Sequence, residues 1–119
     1  MYDHTSLEAW KEARAVSLGV LQAARAHWKP WASALFGQLQ RASLSGQLNI
    51  AEGWTFNKTP TYSRHLGIAF GSAVETGELL QLALDARAIP ADVGRCLLES
   101  CQRSQRLLIG LLKRHRPSR

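Results

Sequence analysis

The chain has no long apolar run. The longest, Leu107-Leu108-Ile109-Gly110-Leu111-Leu112, is far shorter than the ~20 residues that span a bilayer, so a transmembrane helix is excluded. Met1-Tyr2-Asp3-His4 has neither the basic flank nor the apolar core of a secretory signal, and a cytoplasmic protein is expected. Cysteine is scarce as well. Cys96 and Cys101 are five residues apart, about 140° around a helix, and cannot pair with each other. No second cysteine pair or histidine cluster accompanies them, which argues against zinc. Phosphate-cradling glycine loops, nucleophile elbows and zinc signatures are missing. His4, His27, His65 and His115 are scattered. The expectation is a protein with no catalytic residues, no cofactor and no metal.

The C-terminal end is basic and free of acid. From residue 102 to 119 the charged residues are Arg103, Arg106, Lys113, Arg114, Arg116 and Arg119, all basic. Removing those six from the fifteen basic residues leaves nine, against nine acids. The net charge of +6 therefore belongs to the C-terminal end, above a neutral body.

What the sequence does have is apolar content, 45% of residues, in helical rather than alternating patterns. Leu7, Trp10, Ala13, Ser17, Leu21 and Ala24 line one face of a helix from about Ser6 to Ala26, with Thr5 or Ser6 as its cap. His27-Trp28-Lys29-Pro30-Trp31 interrupts it, because proline disfavours helix at the residue before it. A second helix runs from about Ala32 to Glu52, with Gly53 as a left-handed C-cap. Thr59-Pro60 opens a third, to about Ala86, and Ile89-Pro90 a fourth. Short connections between long helices imply antiparallel neighbours. Residues 1–119 thus read as a single all-α domain, an antiparallel up-and-down four-helix bundle, with a basic tail from about residue 113. Gly67 and Gly71 stand one turn apart within the third helix. Close backbone approach, within the bundle or between subunits, is the expected compensation for their poor helix propensity.

Arg41, Ser45, Asn49 and Glu52 recur at four- and three-residue steps and share one face. The third helix carries Ser72, Glu75 and Glu78 at three-residue steps. If the stripes face each other they form a structural polar network, with Arg41 neutralising Glu52 or Glu75 and Ser45 and Asn49 completing the hydrogen bonds. A ferritin-like metal site would need Glu-x-x-His on paired helices, a spacing not met here.

The run Gln38-x-x-Arg41-Ala42-x-x-Ser45-x-x-x-Asn49-Ile50-Ala51-Glu52-Gly53 resembles the four-helix-bundle proteins encoded in 23S rRNA intervening sequences. Arg64-His65-Leu66-Gly67-Ile68-Ala69-Phe70-Gly71-Ser72-Ala73-Val74-Glu75 is similar to that family's third helix, and Leu7-x-x-Trp10-Lys11-x-Ala13 to its opening. One departure is visible. The family usually has Ser-Ile-Pro before the Asn block, whereas this chain has Ser45-Gly46-Gln47-Leu48, so the proline kink should be softened or absent. The resemblance implies a homo-oligomer, commonly a ring of five, and supplies no activity.

Two functions follow as expectations. One is an oligomer that binds RNA or DNA phosphates through Arg103, Arg106, Lys113, Arg114, Arg116 and Arg119, since arginine's planar fork suits phosphate. The same residues also suit the negative end of a helix dipole and solubility. The other is a homo-oligomeric protein-interaction scaffold with no nucleic-acid role, anchored by Trp28, Trp31, Trp54 and Phe56 unless these pack over the bundle ends.

Overall fold

A computed structural model describes residues 3–115. Four helices run up and down: α1 (Glu8–His27), α2 (Ser33–Trp54), α3 (Pro60–Asp85) and α4 (Ala91–Arg114). No strand occurs among the described residues. Each helix packs on its neighbours in chain order and α4 closes on α1, giving a bundle 48 Å long. Arg116 and Arg119 lie outside the described residues.

The helix ends differ from expectation in three places. The chain enters through a 3-10 turn, His4–Ser6, so α1 starts at Glu8 with Leu7 as N-cap and no side-chain cap. The capping carboxylate is Asp3, which accepts from the Thr5 amide at 3.0 Å and holds its own pKa below the usual range through that residue. Thr59 does occupy the N-cap of α3, with Pro60 following, but its hydroxyl donates to the Phe56 carbonyl instead of capping. Gly53 is not a C-cap. It is a buried residue inside α2, with no positive φ among the described glycines. A Cβ there would stand 2.7 Å from the Cβ of His65, which is tied to the α3 backbone and cannot step aside. Glycine is therefore present for space, where α2 and α3 converge.

Left-handed backbone appears instead at Arg87, with φ 57°. The Arg87 amide donates to the Leu84 carbonyl at 3.1 Å and the Ala88 amide to Ala83 at 2.9 Å, which together form a Schellman cap on α3. Ala83 and Ala88 are both fully buried, supplying the apolar contact that goes with it. A tight turn is thus made at a position glycine usually fills. As expected from Ser45-Gly46-Gln47-Leu48, α2 is continuous.

Two apolar clusters fill the bundle. One holds Val20, Phe36, Leu39, Leu80 and Leu97, beneath the α1–α2 and α3–α4 connections. The other holds Leu7, Ile50, Tyr62, Leu66 and Leu108, at the opposite end. Between them lies a waist of small and polar residues: Ser17, Ser43, Thr76, Cys101 and Ser104, all buried. Ser17 donates to the Ser43 carbonyl at 3.0 Å, Thr76 to Ser72 at 2.8 Å, and the Cys101 thiol to Ala73 at 3.1 Å, satisfying hydrogen bonds that burial would otherwise leave unmade. Burial pushes the Cys101 pKa up, keeping it a neutral thiol. Cys96 is free and exposed.

Candidate functional site

Beyond residue 102 the basic residues of α4 fall into two rows. Arg103 and Arg114 lie about 20° apart around the helix, as do Arg106 and Lys113. Arg103 is committed within the fold. Its Nε donates to Glu12 Oε2 at 2.6 Å and its Nη2 to Ser100 Oγ at 3.1 Å, tying α4 to α1. That hydrogen bond to Glu12 raises the Arg103 pKa further. Arg106, Lys113 and Arg114 are exposed and form no ion pair among the described residues. The last two also stand where the dipole of α4 ends negative, which favours cations there. The end of the helix is held in place: Ser63 Oγ donates to the His115 carbonyl, and the His115 ring packs edge-on to Tyr62 at 4.7 Å.

The α2 and α3 stripes do face each other. Ser45 and Ser72 share a hydrogen bond at 2.8 Å, and the Asn49 amide donates to the Ser45 carbonyl at 2.9 Å. Arg41 meets neither expected carboxylate. Its Nη2 donates to Gln38 Oε1 at 2.8 Å, and Gln38 Nε2 donates to Glu75 Oε2 at 2.7 Å, so the glutamine relays between them. Glu52 is exposed and forms no ion pair among the described residues. Arg41 and Glu52 stand eleven residues apart, about 16 Å along α2, too far to pair, and at the surface a solvated cation gains little from a direct pair.

His65 is the member the sequence reading missed. Asn49 spends its amide N–H on Ser45, so its Oδ1 accepts, and His65 Nδ1 at 3.1 Å must carry the proton. Phe56 stacks on the other side of the ring, with planes 8° apart. The signal that finds His65 is antiparallel register. Gln38 faces Glu75, Ser45 faces Ser72 and Asn49 faces His65, one number rising as the other falls.

Gly67 and Gly71 have open space where a Cβ would stand, so close approach within the bundle does not explain them. Along α3, Ile68, Val74 and Leu82 are exposed, as are Leu18 and Leu21 on α1 and Trp28 at its C-cap. The aromatics of the connections divide. Trp54 packs on the lower core and edge-on to Tyr62 at 5.9 Å, whereas Trp28 and Trp31 stand out from the surface, 55% and 64% exposed.

Chemistry-bearing side chains meet in one further place. Cys96, His27 and Asp92 line an open groove of about 450 Å³ between α1 and α4. No hydrogen bond joins the three, and no group of three or more potential ligands is disposed to hold a metal among the described residues. Nor is any described helix long and apolar enough to cross a membrane. Exposed cations, on α4 and elsewhere, and the exposed aromatic and aliphatic surfaces are the features that can meet a partner. Residues 5–110 match the family described as 23S rRNA-intervening sequence protein. No curated protein matches the chain.

Proposed function

Since this chain belongs to the 23S rRNA-intervening sequence protein family, a description that names no activity, we propose that it is a non-enzymatic, self-associating cytoplasmic bundle that binds RNA or DNA phosphates through the basic end of α4. One observation carries the reading: Arg106, Lys113 and Arg114 project from a firmly docked helix end with no acid to neutralise them. Arg116 and Arg119 follow in the sequence and extend the same charge. Arg103 is held by Glu12, whose charge offsets its own, and adds little to the surface.

Three to five local cations per copy bind weakly and with strong salt dependence. An oligomer, such as a pentameric ring, repeats the surface, and avidity rises by orders of magnitude without a new contact. Arg41, Ser45, Asn49, Glu52, Ser72 and Glu75 have no part in contact on this reading. The hydrogen-bonded members among them fix the α2–α3 register that positions the rest.

A second reading, a homo-oligomeric interaction scaffold without nucleic acid, is favoured by the exposed apolar residues of α1 and α3. The two are separated by titrating structured RNA and duplex DNA with the full chain across a salt series, beside Arg106→Ala/Lys113→Ala/Arg114→Ala. The nucleic-acid reading expects the triple variant to bind more weakly, with a shallower salt slope. Equal binding by both proteins removes α4 from the mechanism, and no binding at low salt favours the scaffold. Substitution is a cleaner test than truncation after residue 112, which would also remove the His115 contacts with Ser63 and Tyr62.

A further inference from the structure

The bundle end opposite the α4 terminus has its own chemistry. Lys29 Nζ donates to the Ala88 carbonyl at 2.7 Å, bringing the α1–α2 connection against the α3–α4 turn. From this junction Trp28 and Trp31 project, 55% and 64% exposed. Lys29 Nζ also lies 5.4 Å from the centre of the Trp31 ring, a cation–π contact that orders the indole while leaving it accessible. No ring or cation stacks on Trp28 among the described residues.

Two open grooves flank the connection. One, about 610 Å³, runs between α1 and α2 and includes Trp28 and Arg25 in its wall. The other, about 520 Å³, includes His27, Lys29 and Arg87. Neither wall contains a carboxylate. Two exposed acids stand nearby: Asp85, which accepts a hydrogen bond from Gln81, and Asp92, in the adjoining α1–α4 groove that shares His27. The three cations Arg25, Lys29 and Arg87 outnumber them. Exposed indoles beside grooves whose walls carry cations and no carboxylate are what a single strand needs. Its bases have free π-faces for stacking, and its backbone presents phosphates alongside. A duplex hides those faces, and an apolar protein surface would gain nothing from the flanking cations.

We infer that Trp28 and Trp31, with Arg25, Lys29 and Arg87 beside them, form a base-stacking site for single-stranded nucleic acid. It shares a ligand class with the proposed function but uses the other end of the molecule, so each can fail alone. Arg87 gives a reason for a non-glycine residue at the left-handed cap position: it lines the groove and brings a charge that glycine could not supply. The contact itself is sequence-tolerant, since every base has a π-face.

The test is tryptophan emission of the full chain titrated with an oligothymidylate of about 20 nucleotides, enough to cover a site of this kind, and with its oligouridylate counterpart and a matching duplex. The single strands quench emission and the duplex does not. Trp28→Ala/Trp31→Ala, both on the surface, folds normally by circular dichroism, loses most of the quench and binds the single strand roughly tenfold or more weakly, the scale of lost base stacking. Its salt slope is unchanged, because no cation has been removed. Trp28→Phe/Trp31→Phe retains most of the affinity. The Arg106→Ala/Lys113→Ala/Arg114→Ala protein keeps the quench while its salt slope falls, which tests the α4 end separately. The inference is overturned if the Trp28→Ala/Trp31→Ala protein binds single strands as the parent does. It is equally overturned if no strand quenches at low salt, or if the substitution only lowers the mass by light scattering, which would make the indoles a protein contact.

Discussion

The two ends of the bundle carry positive charge in different company. At the α4 end, Arg106, Lys113 and Arg114 stand on a regular helix, spaced by its pitch, with no exposed indole among them. At the connection end, Lys29 and Arg87 sit in turns close to Trp28 and Trp31, and the Lys29 side chain donates to the Ala88 carbonyl, joining the two turns. The first arrangement suits phosphates at helical spacing. The second suits bases as well. The difference follows from topology, because an up-and-down bundle gathers two short connections at one end and exposes helix termini at the other.

Beneath each end lies its own apolar cluster, and the sharpest test is whether they behave as one core. Leu80→Ala and Leu66→Ala, each at a fully buried site, should each cost about 3 kcal/mol, the usual range for a leucine cavity. Both should give a single transition in chemical denaturation. Two separate transitions would show that the polar waist divides the bundle into independent halves.

Next in size is a pair of identical substitutions with opposite signs. Gly53→Ala drives a Cβ against His65 and should destabilise by about 1–2 kcal/mol after its gain in helix propensity. Gly71→Ala enters open space and should stabilise a monomer by up to about 1 kcal/mol. If Gly71→Ala instead destabilises in a concentration-dependent way, that face is covered by another copy. At the connection end, Arg87→Gly should stabilise by about 0.5–1 kcal/mol, since glycine adopts the left-handed conformation without the cost a side chain incurs. Smallest is Arg103→Ala. Its pair with Glu12 is solvent-screened, and thermal denaturation should register the least change of the set.

The helices, their order and their antiparallel packing were legible because apolar residues recur at helical spacing and prolines mark the breaks. Stripe spacing put Ser45, Asn49 and Ser72 on facing sides of α2 and α3 without naming their partners. Partner choice within the seam was not legible. Gln38 could not be told from an ordinary surface glutamine, and His65 emerges only once antiparallel register is fixed. Gly53 illustrates a deeper ambiguity, because a glycine near a helix end signals either a left-handed cap or lack of space, and only the neighbouring helix decides. The reverse holds at Arg87, where an ordinary arginine conceals a left-handed turn. Spacing placed the cations on α4, but not the commitment of Arg103 to a glutamate 91 residues earlier.

The measurement that tests the account most directly is the salt dependence of binding to a structured RNA by the full chain and by Arg106→Ala/Lys113→Ala/Arg114→Ala. If those three side chains each neutralise one phosphate, the slope of log K against log salt becomes shallower by about 2–3, and affinity at low salt falls severalfold or more. Parallel salt lines of equal height would contradict the claim that the basic end of α4 is the working surface.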